Sequence, residues 1–335
     1  MTSAAVEQPV VDADRPRKIK LVRDNTDKVF RSVALAAGVA VLGIMLLVGT
    51  FLAIRAGSAL HKAGFSFLTT QAWNPDGGHF GVAAILSGTI FIAIVAVVIA
   101  VPLSTATALY ITEYAPGRMR SLLVSVTDLM AAIPSVVYGL WGFFFLQAKV
   151  VPVSMWISAH FGWIPIFKVK GADPNAAIPA STLFTASTLI AGLVVGIMIT
   201  PVVTSIMREV FSQVPVGERE GALGLGATKW GVIKSVVLPF GKGGMIGGTM
   251  LGLGRALGET VAVYMIISPV FTIQPHILQS GAISVSALIA LQFSEASPFG
   301  LSALMAAGLA LFLLTLVINF AASSVVARSR SGAAS

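Results

Sequence analysis

Six stretches of this chain, at about 33 to 54, 82 to 109, 121 to 146, 181 to 206, 244 to 267 and 302 to 326, are almost free of charge and apolar on every helical face. Each exceeds the roughly 18 residues that a membrane crossing needs. Within hydrocarbon every backbone N–H and C=O must be paired internally, which leaves only helix bundles and closed barrels. None of the runs alternates with period two, so a barrel is excluded. The expected fold is an all-α polytopic membrane protein with six transmembrane helices.

The composition, 56% hydrophobic and 11% charged over 335 residues, agrees with that reading. The net charge of +8 comes from basic residues beside membrane runs, not on one aromatic-laced face, which argues against a nucleic-acid partner. There is no cysteine, hence no disulfide, thiolate nucleophile or cysteine-ligated metal. The histidines, at 61, 79, 160 and 276, have no ligand spacing, so no metal or cofactor is expected in this chain.

Residues 1–31 read as a cytoplasmic tail, with 21–31 either an amphipathic helix or a simple basic anchor. The apolar run that follows is too long for a cleaved signal sequence. Residues 32–327 form the transmembrane domain, including a loop at 208–243, and 328–335 a cytoplasmic carboxyl tail. With both termini cytoplasmic, sixteen of the 22 Lys and Arg residues fall on that side and five outside, as the positive-inside rule requires. The segment 150–167 is apolar, but Pro152 and Pro165 bracket it, and an outer interfacial helix anchored by Trp156 and Trp163 fits the charge pattern better. Residues 269–293 suggest a short interfacial or re-entrant piece.

The remaining basic residue, Arg255, lies within the fifth run, with Glu259 four residues on. Counted from Gly244, Arg255 is roughly 17 Å deep, near the middle of a hydrocarbon layer about 30 Å thick. Helical spacing places Glu259 one turn further out on the same face, and Asp128 of the third run reaches a similar layer. Charges at such depth are costly and usually mark a polar path. Two readings stand: a buried ion-pair network locking helices, or an anion path in which Arg255 presents parallel donors to an oxyanion, with Glu259 orienting it or accepting a phosphate proton. Gly248-x-x-x-Gly252 and Gly254-x-x-x-Gly258 offer close-approach faces in the same run. Pro102, Pro134 and Pro201 are expected kinks, Asn319 a hydrogen bond to a neighbouring helix, and the turn from Glu113 to Arg120 a purely topological element.

In the long loop, Pro215 and Gly217 precede a short helix around Glu218–Leu225 that breaks at Gly226; Thr228 then caps a second short helix ending before Pro239. Here the chain resembles the membrane subunits of ABC importers. Their coupling motif matches Glu220-Gly221-Ala222, Gly226 and Val236-Val237-Leu238-Pro239, with Gly221 in place of an alanine and Val236 of an isoleucine. The resemblance implies a type I ABC importer permease whose loop inserts into a separate ATPase, with Glu220 as polar anchor and Ala222 and Gly226 permitting close approach. ATP and Mg would belong to that partner: the chain has no Gly-x-x-x-x-Gly-Lys-Ser/Thr phosphate loop and is not expected to be an enzyme.

Two further stretches narrow the resemblance. Gly254-Arg255-Ala256-Leu257-Gly258-Glu259-Thr260 with Val261-Ala262-Val263, and Ile133-Pro134-Ser135-Val136-Val137-Tyr138-Gly139-Leu140-Trp141-Gly142, are similar to phosphate ABC permease subunits of the PstC type. That family implies inorganic phosphate as cargo, a PstA-type permease subunit, two PstB-type ATPase subunits and an extracytoplasmic PstS-type phosphate-binding protein in a bacterial plasma membrane. It also associates Arg255 and Glu259 with the substrate path; Asp128 rests on depth alone. Another oxyanion such as sulfate or molybdate, or a phosphate-sensing scaffold that moves nothing, remain as alternatives.

Overall fold

The computed structural model describes residues 25–172 and 180–331. The tail expected before residue 25 and the last four residues lie outside that range. Helix α1, Asn25–Ala63, incorporates residues 25–31 without interruption. Its portion up to Thr50 forms a compact unit by itself, exposed on nearly every side.

The second unit, from Phe51, holds the bundle. In chain order come α2 (Ala83–Leu109) continued by a π turn at Tyr110–Tyr114, α3 (Gly117–Ala132), α4 (Ser135–Trp141), a π turn at Gly142–Leu146, and α5 (Gln147–Phe161). Then follow α6 (Thr188–Ser212), α7 (Val216–Gly224), α8 (Lys229–Val232), a π turn at Ile233–Val237, α9 (Leu238–Gly258), α10 (Val261–Ile266), α11 (Val285–Gln292) and α12 (Pro298–Ser331). A two-stranded hairpin pairs Trp73 with Phe80 and Asn74 with His79. Six helical runs among the described residues are long and apolar enough to cross a membrane: Asn25–Leu68, Ala83–Tyr114, Ser135–Phe161, Thr188–Ser212, Lys229–Gly258 and Pro298–Ser324. The fold is all-α with six spans, as expected.

The boundaries of two spans differ from the sequence reading. Pro134 adopts an extended conformation (φ −61°, ψ 145°) and separates α3 from α4, because its ring disfavours helix at Ile133, which is extended as well. The third span therefore runs over Ser135–Phe161, and the segment from 150 is its end and not a separate interfacial helix. Pro152 lies within α5, and Lys149, assigned to an outer loop, falls inside the helix. The fifth span begins earlier than expected, at Lys229, since Pro239 does not stop it. A proline needs no N–H partner in a first turn, and here it follows a π turn at the start of α9.

Helices α2 and α6 run parallel and pack along their length. Gly192 lies against Val95, and Gly196 approaches the Ala96 carbonyl so closely (3.0 Å from a would-be Cβ) that a side chain would have to push it away. Ile92, Ile190, Met198 and Ile199 fill the seam. Lipid removes the hydrophobic drive between helices, so this dense small-residue packing is what holds the pair. The buried Ser104 hydroxyl adds a cross-helix bond to the Thr200 carbonyl at 2.9 Å, a type worth about 0.6 kcal/mol.

Helix α9 runs antiparallel to α6 along a glycine edge. Gly241 faces Phe211, Gly244 faces Val210, Gly248 faces Ile206 and Gly252 faces Val203, whereas Gly254 and Gly258 meet nothing. Within this chain only the first of the two expected glycine pairs is a contact face. Helix α11, capped by Ser284 through the Ala287 N–H, is short and buried; its Val285 N–H is taken by Thr89 of α2 at 3.0 Å.

Candidate functional site

The register of α9 on α6 fixes the depth of Arg255. Gly252 meets Val203 and Ile199, so Arg255, three residues further, stands level with the centre of α6. It lines an open cleft of about 440 Å³ with Val202, Gly247, Met250, Leu251, Gly254 and Asn319. Asn319 is the other polar side chain of the cleft and the remaining lining is apolar or glycine; Arg255 is exposed on this face of the chain, and a Cβ on Gly254 would meet nothing. Among the described residues no carboxylate pairs with Arg255. Its place in the last turn of α9 puts it near the partial negative charge of the helix carbonyls.

Glu259 is not on the Arg255 face. Helix α9 ends at Gly258, and Glu259 turns extended (φ −64°, ψ 126°). Its side chain folds forward, and Oε1 accepts the Ala262 N–H at 3.2 Å; its carbonyl accepts the Ser286 hydroxyl at 2.7 Å. The residue is buried; of these two bonds one reaches the carboxylate and the other the backbone carbonyl. The expected four-residue ion pair is therefore absent, because the helix that would align it stops between the two residues.

Asp128 is likewise displaced from the Arg255 layer. It belongs to α3, before the third span begins, and lies 3.9 Å from Arg208 in the last turns of α6. That is six residues, or about 9 Å, toward the loop end from Val202. Asn319 lines the Arg255 cleft, and among the described residues it makes no side-chain bond to a neighbouring helix.

At the loop end, α7 and α8 form an angled pair. Gly226 has φ +86°, and two bonds close the helix: Ala227 N–H to Ala222 O at 3.0 Å, and Gly226 N–H to Leu223 O at 2.9 Å. This is the six-to-one and five-to-two pattern that requires a left-handed residue after the helix, which explains the glycine. Thr228 caps α8 through the Gly231 N–H at 3.1 Å. Glu220, Gly221, Leu223 and Leu225 face outward, and Leu225 is 92% exposed. Ala222 instead packs inward on a cluster that contains Met207, Phe211, Val232, Ile233 and Val237, so its small size serves the bundle. Leu238 packs on the same cluster, and Pro239 is exposed.

Sequence reading missed the residue that fastens this pair. Arg219 Nη2 donates to the Phe211 carbonyl at 2.6 Å and lies 3.1 Å from Glu113 Oε1. The turn that carries Glu113 thus has a partner beyond topology. A charge sandwiched between Glu218 and Glu220 was the available signal.

The chain matches the family described as binding-protein-dependent transport system inner membrane component over residues 100–331. It is 38% identical over 311 residues to the phosphate transport system permease protein PstC 2 of Mycobacterium tuberculosis, covering 91% of this chain and 93% of that one. The phosphate transport system permease protein PstC of Mesorhizobium japonicum is 39% identical over 317 residues, covering 92% and 93%. Among solved structures, a bacterial alginate ABC transporter in complex with an alginate-pentasaccharide-bound periplasmic protein shares the fold, with a TM-score of 0.57 over 92% of this chain and 98% of that one at 14% identity. By this family match and these relatives, the chain belongs to the binding-protein-dependent transport system inner membrane component family, among its PstC-type permeases.

Proposed function

We propose that this chain is the membrane-spanning permease subunit of an ATP-driven phosphate importer, forming half of the translocation path and coupling it to a separate ATPase. The observation that carries the reading is Arg255. An exposed, permanently charged guanidinium stands level with the centre of α6, without a carboxylate partner among the described residues, and lines a cleft. An unneutralised cation at that depth is costly, and a transient oxyanion ligand is what its planar fork suits. The names of the relatives, phosphate transport system permease proteins, supply the cargo.

In this reading Arg255 attracts the anion, and Glu259 shapes the path by holding the break between α9 and α10. Asp128 lies outside the Arg255 layer and has no part in binding. Glu220, Gly221, Ala222, Gly226, Leu238 and Pro239 build the element that docks on the ATPase: Glu220 and Gly221 at its surface, the others as its frame. The complete transporter would add a PstA-type permease, two PstB-type ATPases that bind ATP and Mg, and an extracytoplasmic PstS-type phosphate-binding protein. Both termini and the α7–α8 loop would then face the cytoplasm.

The test is uptake of radiolabelled phosphate by the complex reconstituted in vesicles, with and without excess sulfate. Arg255→Ala is expected to abolish uptake while the complex still assembles. Undiminished uptake by that variant, or preferential transport of sulfate, would overturn the assignment.

A further inference from the structure

Helix α7 is fastened to the bundle through Arg219, a residue to which the coupling motif gives no role. Its guanidinium reaches two helices at once: the Phe211 carbonyl in the last turn of α6 at 2.6 Å, and Glu113 in the π turn that ends the α2 run, at 3.1 Å. Both side chains are largely withdrawn from solvent, at 23% and 12% exposure. Lys229, at the start of α8, adds a looser tie over the Tyr114 ring at 5.6 Å.

The pair is incompletely satisfied. Glu113 Oε1 is close to Arg219 but receives no well-directed hydrogen bond, and Arg219 Nε has no partner. Unpaired polar atoms in a low-dielectric site are costly, and these two leave bonding capacity that a second position of α7 could use. The two helices it grips are the packed pair α2 and α6, and α6 carries Val202 of the Arg255 cleft. Movement of α7 is thus placed in line with the wall of that cleft.

We infer that the Arg219–Glu113 ion pair is the link through which displacement of α7 is passed to α2 and α6, making both positioning residues for transport. The inference rests on the proposed docking of α7 on an ATPase. It differs from a docking role because Glu113 and the inner side of Arg219 face the bundle and not the outer surface that carries Glu220.

The experiment uses the complete complex in vesicles and reads three quantities: ATPase retained on the complex, ATP hydrolysis, and phosphate imported per ATP. Arg219→Ala and Glu113→Gln should each retain the ATPase and hydrolyse ATP, while phosphate imported per ATP falls about fivefold or more, the lower range of intersite coupling. Arg219→Lys, which keeps the charge, should recover part of the loss. Unchanged import per ATP in the Ala and Gln variants would overturn the link, and so would loss of the ATPase from Arg219→Ala, which would make Arg219 a docking residue. If Arg219→Ala does not accumulate, Glu113→Gln decides, since it keeps the shape and removes only the charge. Glu220→Ala tests the docking reading separately: an ATPase that stays bound and coupled in that variant sinks the docking role, whatever the Arg219 variants do.

Discussion

Glu259 accepts the backbone N–H of Ala262 at 3.2 Å, so the acid that follows Arg255 in sequence is spent on starting α10. Substitutions should separate this capping role from charge. Glu259→Gln retains an acceptor at the same place and should leave thermal stability in detergent nearly unchanged. Glu259→Ala removes the cap and should cost about 1 kcal/mol. Equal losses in the two variants would mean that the negative charge, not the bond, holds the break.

Arg255 should respond to geometry as well as to charge. Arg255→Lys keeps a cation in the cleft but replaces a planar fork with a point charge that cannot present two parallel donors. Phosphate uptake should fall between those of the native chain and Arg255→Ala, with the half-saturating concentration of delivered phosphate raised. Native uptake in the lysine variant would show that charge alone suffices at this position.

The six spans and the Gly226 turn were legible because long apolar runs and a glycine before a cap are local signals. Depth was legible only where the helix boundary was. Arg255 falls level with the centre of α6, because α9 is regular from Leu238 to Gly258, but on an exposed face of the chain. Asp128 does not reach that level, because Pro134 moves the start of the third span to Ser135. Glu259 was misplaced by the same kind of break, in a Gly-Glu-Thr sequence that carries no proline to announce it. The Arg219 to Glu113 tie joins residues more than a hundred positions apart, and no periodicity in either segment points to the other.

The glycine edge of α9 predicts opposite outcomes two residues apart. A Cβ on Gly252 would lie 2.6 Å from Val203 Cγ2, while one on Gly254 meets nothing. Gly252→Ala should therefore push α9 off α6 and destabilise by about 1 to 3 kcal/mol. Gly254→Ala, in an open helical position, should be neutral or stabilising by up to about 1 kcal/mol. Thermal unfolding of the detergent-solubilised chain distinguishes them, and a larger loss at Gly254 would overturn the register on which the depth of Arg255 rests.

Gly226 and Gly221 make the corresponding comparison at the loop. Neither would meet an atom if given a Cβ, so any cost must come from the backbone. Gly226 is left-handed at φ +86°, where an L-residue is disfavoured by about 1 to 2 kcal/mol and asparagine tolerates the strain better than alanine. Relaxing that angle would break the two bonds that close α7 and would swing Leu225 and Glu220 away from their present directions. Gly221 is an ordinary helical position, and alanine there is the residue of the related motif. Retention of the ATPase on the purified complex should therefore fall in the order native, Gly226→Asn, Gly226→Ala, while Gly221→Ala keeps it at or above the native level. If Gly226→Ala retained the ATPase as well as the native chain, the angle between α7 and α8 would not be what the partner reads.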